Sequence, residues 1–417
     1  MGCKLGKLAN CSKTVGSTVC GRSLGPPSAA LHPRLALTSR QKYTMIAPWS
    51  GISMQPAGIC MSLNLFSGWI SPANRMYSTM SEDKEHRCYQ IPKFNTLFTY
   101  RANPFDKQLP RVNEWMDWIF QFSLLSKCHY ERRIREASIM TTSYMYPFCK
   151  DINRFERLVK WLSYLFVGDD HVEIGRTKEA TQQITNQAIN CIRRLEAIHV
   201  TGEEHNVSLL NIRQFIVCTY LVVEDILLDM KMEQRKRFLQ AWRSYCLATS
   251  KENELIEIQL LDLDVIVKTR LESGAVRTII ALIEYSEKIH ISDELWYDDR
   301  IQRLMDLCNY CVVLINDVYS FEKEFLDQDK DMTKMVWNIV GFHVLKYNCS
   351  IEEAFGRSLD VIREYQSEYK ELADSLINDH SLGAECKKFV DCVTAVNAGN
   401  FAVSLRCNRY NDIYETQ

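Results

Sequence analysis

Apolar positions along most of the chain recur at helical rather than alternating spacing. Trp115, Trp118, Ile119 and Phe122 fall on one helix face, and Leu158, Trp161, Leu162, Leu165 and Phe166 on another. The most apolar long window, Ser208 to Met230, is interrupted by Arg213, Glu224, Asp225 and Asp229. A membrane span needs about 20 largely apolar residues, so this window predicts a buried helix of a bundle. All ten prolines lie at or before Pro147. The 270 residues that follow therefore read as helical, since β-rich and loop-rich chains use proline in turns and at edges. The eight glycines beyond Pro147 are spaced widely enough to serve as helix ends, with Gly168, Gly274 and Gly399 close to polar clusters. Pro92, Pro104 and Pro110 punctuate an irregular lead-in over residues 82–110. The expected fold is all-α, a single α-helical bundle domain over residues 82–417.

Charge sets the first 81 residues apart. They hold eight Lys and Arg and no acidic residue, whereas the remainder holds 42 basic and 52 acidic residues. A basic, Ser/Gly/Pro-rich segment without acids has the composition of a transit peptide or a disordered extension. An upstream extension of the reading frame is the alternative, because Met76 and Met80 stand just before the change. A myristoylation signal is not supported, since Gly6 occupies the place of the expected Ser or Thr. The acidic body, with no basic stripe interleaved with aromatics, argues against nucleic acid as a partner. The sixteen cysteines, scattered from Cys3 to Cys407, show no disulfide framework. The one close pair, Cys308 and Cys311, lies in an apolar run without the second pair or histidines that structural zinc needs. Reduced core thiols are the expectation.

Two polar clusters carry candidate chemistry. Asp169-Asp170-His171-Val172-Glu173 closes an apolar helical segment, and the i, i+4 spacing of Asp169 and Glu173 sets two carboxylates on one face. Such a pair suits a hard cation, although a solvated helix end has the same pattern. The second cluster runs from Asn316 to Glu324. Asn316, Ser320 and Glu324, at i, i+4 and i+8, align an amide oxygen, a hydroxyl and a carboxylate, enough to chelate one Mg²⁺. The alternative is the polar face of an exposed helix, but the preceding Cys311-Val312-Val313-Leu314-Ile315 is apolar, so the row emerges from the core. Two oxygen-rich sites without a phosphate-cradling glycine loop suggest a diphosphate held through bridging Mg²⁺.

Asp169-Asp170-x-x-Glu173, followed 147 residues later by Asn316-Asp317-x-x-Ser320-x-x-x-Glu324, resembles the class I terpene synthases of the microbial single-domain type. The likeness covers residues 85–417 and extends to the octocoral members of that group. It implies metal ligation by Asp169, Asp170, Glu173, Asn316, Ser320 and Glu324, with three Mg²⁺ ions or Mn²⁺ in their place. Arg270, 46 residues before Asn316, matches the family's diphosphate-sensing arginine. Ser273 and Gly274 match its linker and effector positions at a helix break. Arg409-Tyr410 resembles the pair that closes over the diphosphate, and Lys323 stands at a diphosphate-contacting place. Phe401 departs from the pattern, since many microbial relatives carry Trp there.

The resemblance implies Mg²⁺-assisted loss of diphosphate from a prenyl diphosphate, farnesyl or geranylgeranyl, and cyclisation to a sesquiterpene or diterpene. Arg270, Lys323 and Arg409 would stabilise the leaving group, and Phe166, Trp337, Phe401 and Tyr410 would wall a dry pocket with aromatic faces. Chain-elongating prenyl diphosphate synthases share the fold but carry a second Asp-rich motif; Glu224-Asp225-x-x-x-Asp229 has the wrong spacing for it. No Asp-x-Asp-Asp string supports protonation-initiated cyclisation. A non-catalytic helical scaffold is disfavoured by the intact polar rows. The likeness leaves open a homodimer and a cytoplasmic location, or an organellar one if residues 1–81 are a transit peptide; stable membrane insertion is not expected.

Overall fold

The computed structural model describes residues 89–107, 109–120, 128–174, 178–203, 213–258 and 262–411. Residues 1–81 lie outside them, as does Phe122. After an irregular lead-in and one 3-10 turn at Pro104–Lys107, the described chain is helical, with no strand among the described residues. The helices are α1 (Pro110–Phe120), α2 (Cys128–Met145), α3 (Ile152–Ile174), α4 (Lys178–Glu196), α5 (Gln214–Leu228), α6 (Met232–Glu257), α7 (Leu263–Ser273) and α8 (Val276–Ala281). They are followed by α9 (Ile283–Glu287), α10 (Asp293–Trp296), α11 (Asp299–Asp327), α12 (Ile339–Tyr347), α13 (Ile351–Asn378), α14 (Ala384–Arg406) and α15 (Asn408–Asn411).

Local chemistry explains where many of these helices begin. Pro110 opens α1, where a missing N–H costs nothing. Asp262, Ser292, Asp298, Asn338 and Ser350 cap α7, α10, α11, α12 and α13, each side chain accepting a hydrogen bond from a backbone N–H of the first turn.

Packing follows the apolar periodicity. Helix α11 lies along α13 and α14, α14 packs on α2, α2 on α3, and α6 against α4 and α7. Leu158, Trp161, Leu162 and Leu165 of α3 are buried, with Phe166 packed at the edge of the same core. Trp161 meets Phe238 and Trp242 of α6 edge to face, at ring-centroid distances of 5.0 and 5.3 Å. From Gln214 on, the apolar window forms α5, whose Phe215, Ile216, Cys218, Val223 and Ile226 are buried. No helix of the described residues is long and apolar enough to cross a membrane. A second core cluster lies behind α11, where Phe321 and Phe325 stack with each other and meet Tyr89 of the lead-in edge on. The ten cysteines from Cys149 to Cys407 are free thiols. Burial pushes Cys311 up to about 12 and raises Cys308 as well, which suits core packing.

The glycines depart from the sequence expectation. Gly202, Gly274 and Gly383 stand at helix ends, but Gly168, Gly341, Gly356 and Gly399 lie inside helices. Close approach explains two of the four. A β-carbon at Gly399 would sit 2.5 Å from the Tyr144 carbonyl oxygen, so α14 and α2 meet backbone to backbone there. One at Gly341 would sit 2.2 Å from the Met335 carbonyl oxygen. Nothing in the structure explains glycine at 168 or 356.

Gly399→Ala should therefore destabilise the fold by about 1–3 kcal/mol, because backbone must shift to admit the methyl. Gly356→Ala, with nothing within 4 Å of the added carbon, should stabilise by up to about 1 kcal/mol through helix propensity. Denaturant midpoints of the two variants, moving in opposite directions from the parent, would check the pair.

Candidate active site

One cavity is built from α2, α3, α6, the α7–α8 break, α11, α14 and α15. On α3 its wall runs from Leu162 through Leu165 and Phe166 to Asp169, following the i, i+3, i+4, i+7 spacing of one face. On α11 it runs from Val312 and Val313 to Asn316, Ser320, Lys323 and Glu324. Both helices thus pass from apolar to polar liners along a single stripe. Met145, Val276, Ile279 and Val403 extend the apolar part.

The polar end is tied together by α15. Arg409 is buried and makes a bidentate pair with Asp170, at 2.9 and 2.7 Å, and reaches to 3.8 Å from Asp169. Its guanidinium lies 5.1 Å from the centroid of the Phe166 ring. Burial alone would lower its pKa, but Asp170 and then Asp169 hold it well above the usual arginine value. Tyr410, next in sequence, accepts a 3.0 Å hydrogen bond from the Asn316 amide. Burial pushes its phenol up to about 12. The first polar row and the second are thereby joined through two adjacent residues. Glu173 belongs to α3, but its side chain lies outside the described residues.

Arg270 anchors the opposite side. It pairs with Asp317 at 2.6 Å and with Glu252 at 3.0 Å, and its guanidinium stands 5.0 Å from the centroid of Trp337. Burial would depress its pKa; Asp317, Glu252 and Glu324 together keep it well above the usual value, so it is charged throughout the working pH range. The Ser273 hydroxyl donates to the same Glu252 oxygen that Arg270 holds. Asp317 is completely buried and also accepts from the Ile339 amide at 3.0 Å.

The helix break after Ser273 differs in detail from the expectation. Gly274 has ordinary right-handed geometry, and it is Ala275 that turns left-handed, at φ 58°. Gly274 is needed for space: a β-carbon there would sit 2.5 Å from Val313 Cγ2 on α11. Ala275 itself lines the cavity. A carbonyl released by the break, that of Leu271, accepts from the Asn309 amide at 2.6 Å.

The cavity brings Asp169, Asn316, Ser320, Glu324, Arg270, Ser273, Gly274, Lys323, Trp337, Phe166, Arg409 and Tyr410 to one wall or rim. Asp170 stands behind, on Arg409. Lys323 also pairs with Asp327 on its own helix, at 3.1 Å. Phe401 does not line the cavity. It faces the second core cluster, edge on to Phe94 and Tyr319, while its neighbours Asn400 and Val403 supply the wall. The helix rotation that brings Asn400 inward turns Phe401 away. Sequence reading missed Tyr245, Thr249 and Glu252, which line the cavity from α6. Their i, i+4, i+7 spacing is the only local signal, and a solvated helix face carries the same one.

The donor chemistry fits a hard divalent cation. Asn316 gives its amide nitrogen to Tyr410 and keeps its oxygen as an acceptor. Ser320 donates its proton to the Asn316 carbonyl at 2.7 Å, leaving its lone pairs. Among the described residues no three Asp, Glu, His or Cys side chains converge, so a cation at the second row would rest on amide and hydroxyl oxygens beside Glu324.

An apolar chamber closed at one end by carboxylates and cations defines an enzyme for a substrate with a hydrocarbon body and a phosphorylated head. Comparison with known proteins agrees. The family model described as terpene synthase family 2, C-terminal metal binding, matches residues 160–368. Terpene cyclase braA of Annulohypoxylon truncatum is 23% identical over 77% of this chain and 85% of its own length. The 4-epi-cubebol synthase ((2E,6E)-farnesyl diphosphate cyclizing) of Streptosporangium roseum is 25% identical over 59% of this chain and 72% of its own. Among solved structures, germacradien-4-ol synthase from Streptomyces citricolor superposes with a TM-score of 0.60 at 19% identity, covering 74% of this chain and 97% of that one. The chain belongs to the terpene synthase family, with the all-α class I fold and a divalent-metal-binding domain.

Adjacent residues of α11 should separate two roles. Asp317→Ala strips a buried partner from Arg270 and from the Ile339 amide, and should cost about 3–5 kcal/mol of stability. Asn316→Ala should leave stability within about 1 kcal/mol and abolish turnover. Chemical denaturation of both variants, alongside activity, would check the contrast.

Proposed function

We propose that the chain ionises a linear prenyl diphosphate, farnesyl diphosphate before geranylgeranyl diphosphate, and cyclises the resulting cation to a sesquiterpene. The observation that carries this reading is the convergence of Asp169, Asn316, Ser320 and Glu324 with Arg270, Lys323 and Arg409 at the end of an apolar cavity. Farnesyl diphosphate is favoured by the Streptosporangium roseum relative, a (2E,6E)-farnesyl diphosphate cyclizing enzyme.

Asp169, Asp170 and Glu173 on one side, and Asn316, Ser320 and Glu324 on the other, would hold three Mg²⁺ ions, with Mn²⁺ an alternative. Bound there, the metal supplies Lewis-acid neutralisation of the diphosphate charge. Arg270, Lys323 and Arg409 add hydrogen-bond donors where negative charge develops as the allylic C–O bond breaks. Arg409 would exchange part of its contact with Asp170 for the diphosphate, and Tyr410 would move with it. Leu162, Leu165, Val276, Ile279 and Val403 exclude water that would quench a cation. Phe166 and Trp337 offer aromatic faces that attract positive charge without acting as nucleophiles.

Residues 1–81 we assign to a leader outside the catalytic domain at 82–417, in a cytoplasmic or organellar enzyme according to whether it is a transit peptide. A chain beginning at Met80 should keep full activity, and loss of both solubility and turnover would place the leader within the domain.

The test is incubation with geranyl, farnesyl and geranylgeranyl diphosphates, each with Mg²⁺ or EDTA, followed by mass analysis of a hexane overlay. A Mg²⁺-dependent hydrocarbon or terpene alcohol from farnesyl diphosphate is expected, and Asp169→Ala should lose it. Product only after addition of isopentenyl diphosphate would instead identify a chain-elongating synthase, and no product under any condition a scaffold.

A further inference from the structure

The segment between α11 and α12 returns the chain to the cavity wall at Trp337, and Asn338 follows directly behind it. This residue is completely buried, and both its amide nitrogen and its amide oxygen are hydrogen-bonded. Its oxygen accepts from the Val340 N–H at 2.9 Å, which caps α12. Its nitrogen donates twice, at 2.9 Å to the Asp317 carbonyl and at 2.9 Å to Glu324 Oε2. The next residue, Ile339, gives its backbone N–H to Asp317 Oδ2. One turn of chain therefore holds both the carboxylate that anchors Arg270 and the carboxylate that closes the second polar row.

We infer that Asn338 is a positioning residue for Glu324, fixing the orientation of that carboxylate toward the divalent cation. The inference rests on the proposed metal role of Glu324. A capping residue alone needs only the oxygen; Ser and Asp cap as well as Asn. The nitrogen is what distinguishes Asn here, because it reaches Glu324 Oε2 as a neutral donor that aims the carboxylate without setting a further cation against it. Carboxylate ligands are commonly oriented by such outer contacts, and their removal typically costs about 10–100-fold in metal affinity or activity. The surroundings hold the amide in place. Gly341 admits the Met335 carbonyl so closely that a β-carbon would sit 2.2 Å from it, which fixes the path of the turn, and Trp337 packs beneath Arg270.

Asn338→Ser keeps a capping oxygen and loses the donor that reaches Glu324. Asn338→Asp keeps the cap and sets a carboxylate against Glu324. The binding of inorganic pyrophosphate as a function of Mg²⁺ concentration, followed by titration calorimetry on the full chain, reads the metal site without turnover. Both variants should require about 10–100-fold more Mg²⁺ for the same pyrophosphate binding, with Asp the worse. The Mg²⁺ concentration for half-maximal activity should rise in parallel, while KM for the prenyl diphosphate at saturating Mg²⁺ stays near the parent value. A folded Ser or Asp variant with unshifted Mg²⁺ dependence would overturn the inference, leaving Asn338 a helix cap. Asn338→Gln, which keeps the amide donor on a longer arm, should recover part of the Mg²⁺ affinity; if only Gln folds, an unshifted Mg²⁺ dependence in the double variant Asn338→Gln with Glu324→Gln would overturn it equally. Pyrophosphate binding by the parent chain that ignores Mg²⁺ would strike the metal assignment itself, and this inference with it.

Discussion

The buried guanidinium of Arg270 is the constraint around which the site is assembled. A cation taken from water needs compensation from every side, and here it comes from two helices and a turn: Glu252 from α6, Asp317 from α11, and the Trp337 ring from the turn before α12. Each partner is itself held. Ser273 donates to Glu252, and the Ile339 amide donates to Asp317. Shifting any one of these elements leaves charge uncompensated at low dielectric, so the relative placement of α6, α7, α11 and α12 is specified more sharply than apolar packing alone would achieve.

A second charged assembly, Arg409 with Asp170 and Asp169, does the same for α3 and α15. The two assemblies meet on α11, where Asn316 contacts Tyr410 and Asp317 contacts Arg270 in consecutive positions. Adjacent residues on a helix point about 100° apart. One of this pair looks along the cavity rim and the other into the protein, which lets a single helix serve both the polar end of the cavity and the frame that supports it.

Much of this was legible in the sequence because it is local. The helical spacing of Asn316, Ser320 and Glu324, the Asp169-Asp170 step at the end of an apolar stripe, and the absence of proline after Pro147 are all properties of a short stretch read one turn at a time. What was not legible depends on contacts between distant segments. Glu252 lies 18 residues from Arg270 in a helix whose exposed and cavity-facing polar residues look alike. Asn338 reaches Glu324 only because the intervening turn folds back. The aromatic at 401 was expected to face the cavity and faces the rear core, since a rotation of one residue along α14 decides between the two. Glycines inside helices were read as ends because the neighbouring backbone that requires them, as Tyr144 does at Gly399, belongs to another helix.

Ala275 sets two demands against each other. Its left-handed backbone, which glycine adopts at no steric cost, carries strain of roughly 1–2 kcal/mol for a residue with a β-carbon. The residue also lines the cavity in which the hydrocarbon of a substrate would fold. Glycine at this point would relax the chain and hollow the wall; a β-branched residue would fill the wall and deepen the strain. The contour of the chamber beside the helix break is thus fixed by a compromise between backbone geometry and the shape of the molecule it must mould, and the single methyl marks where the two balance.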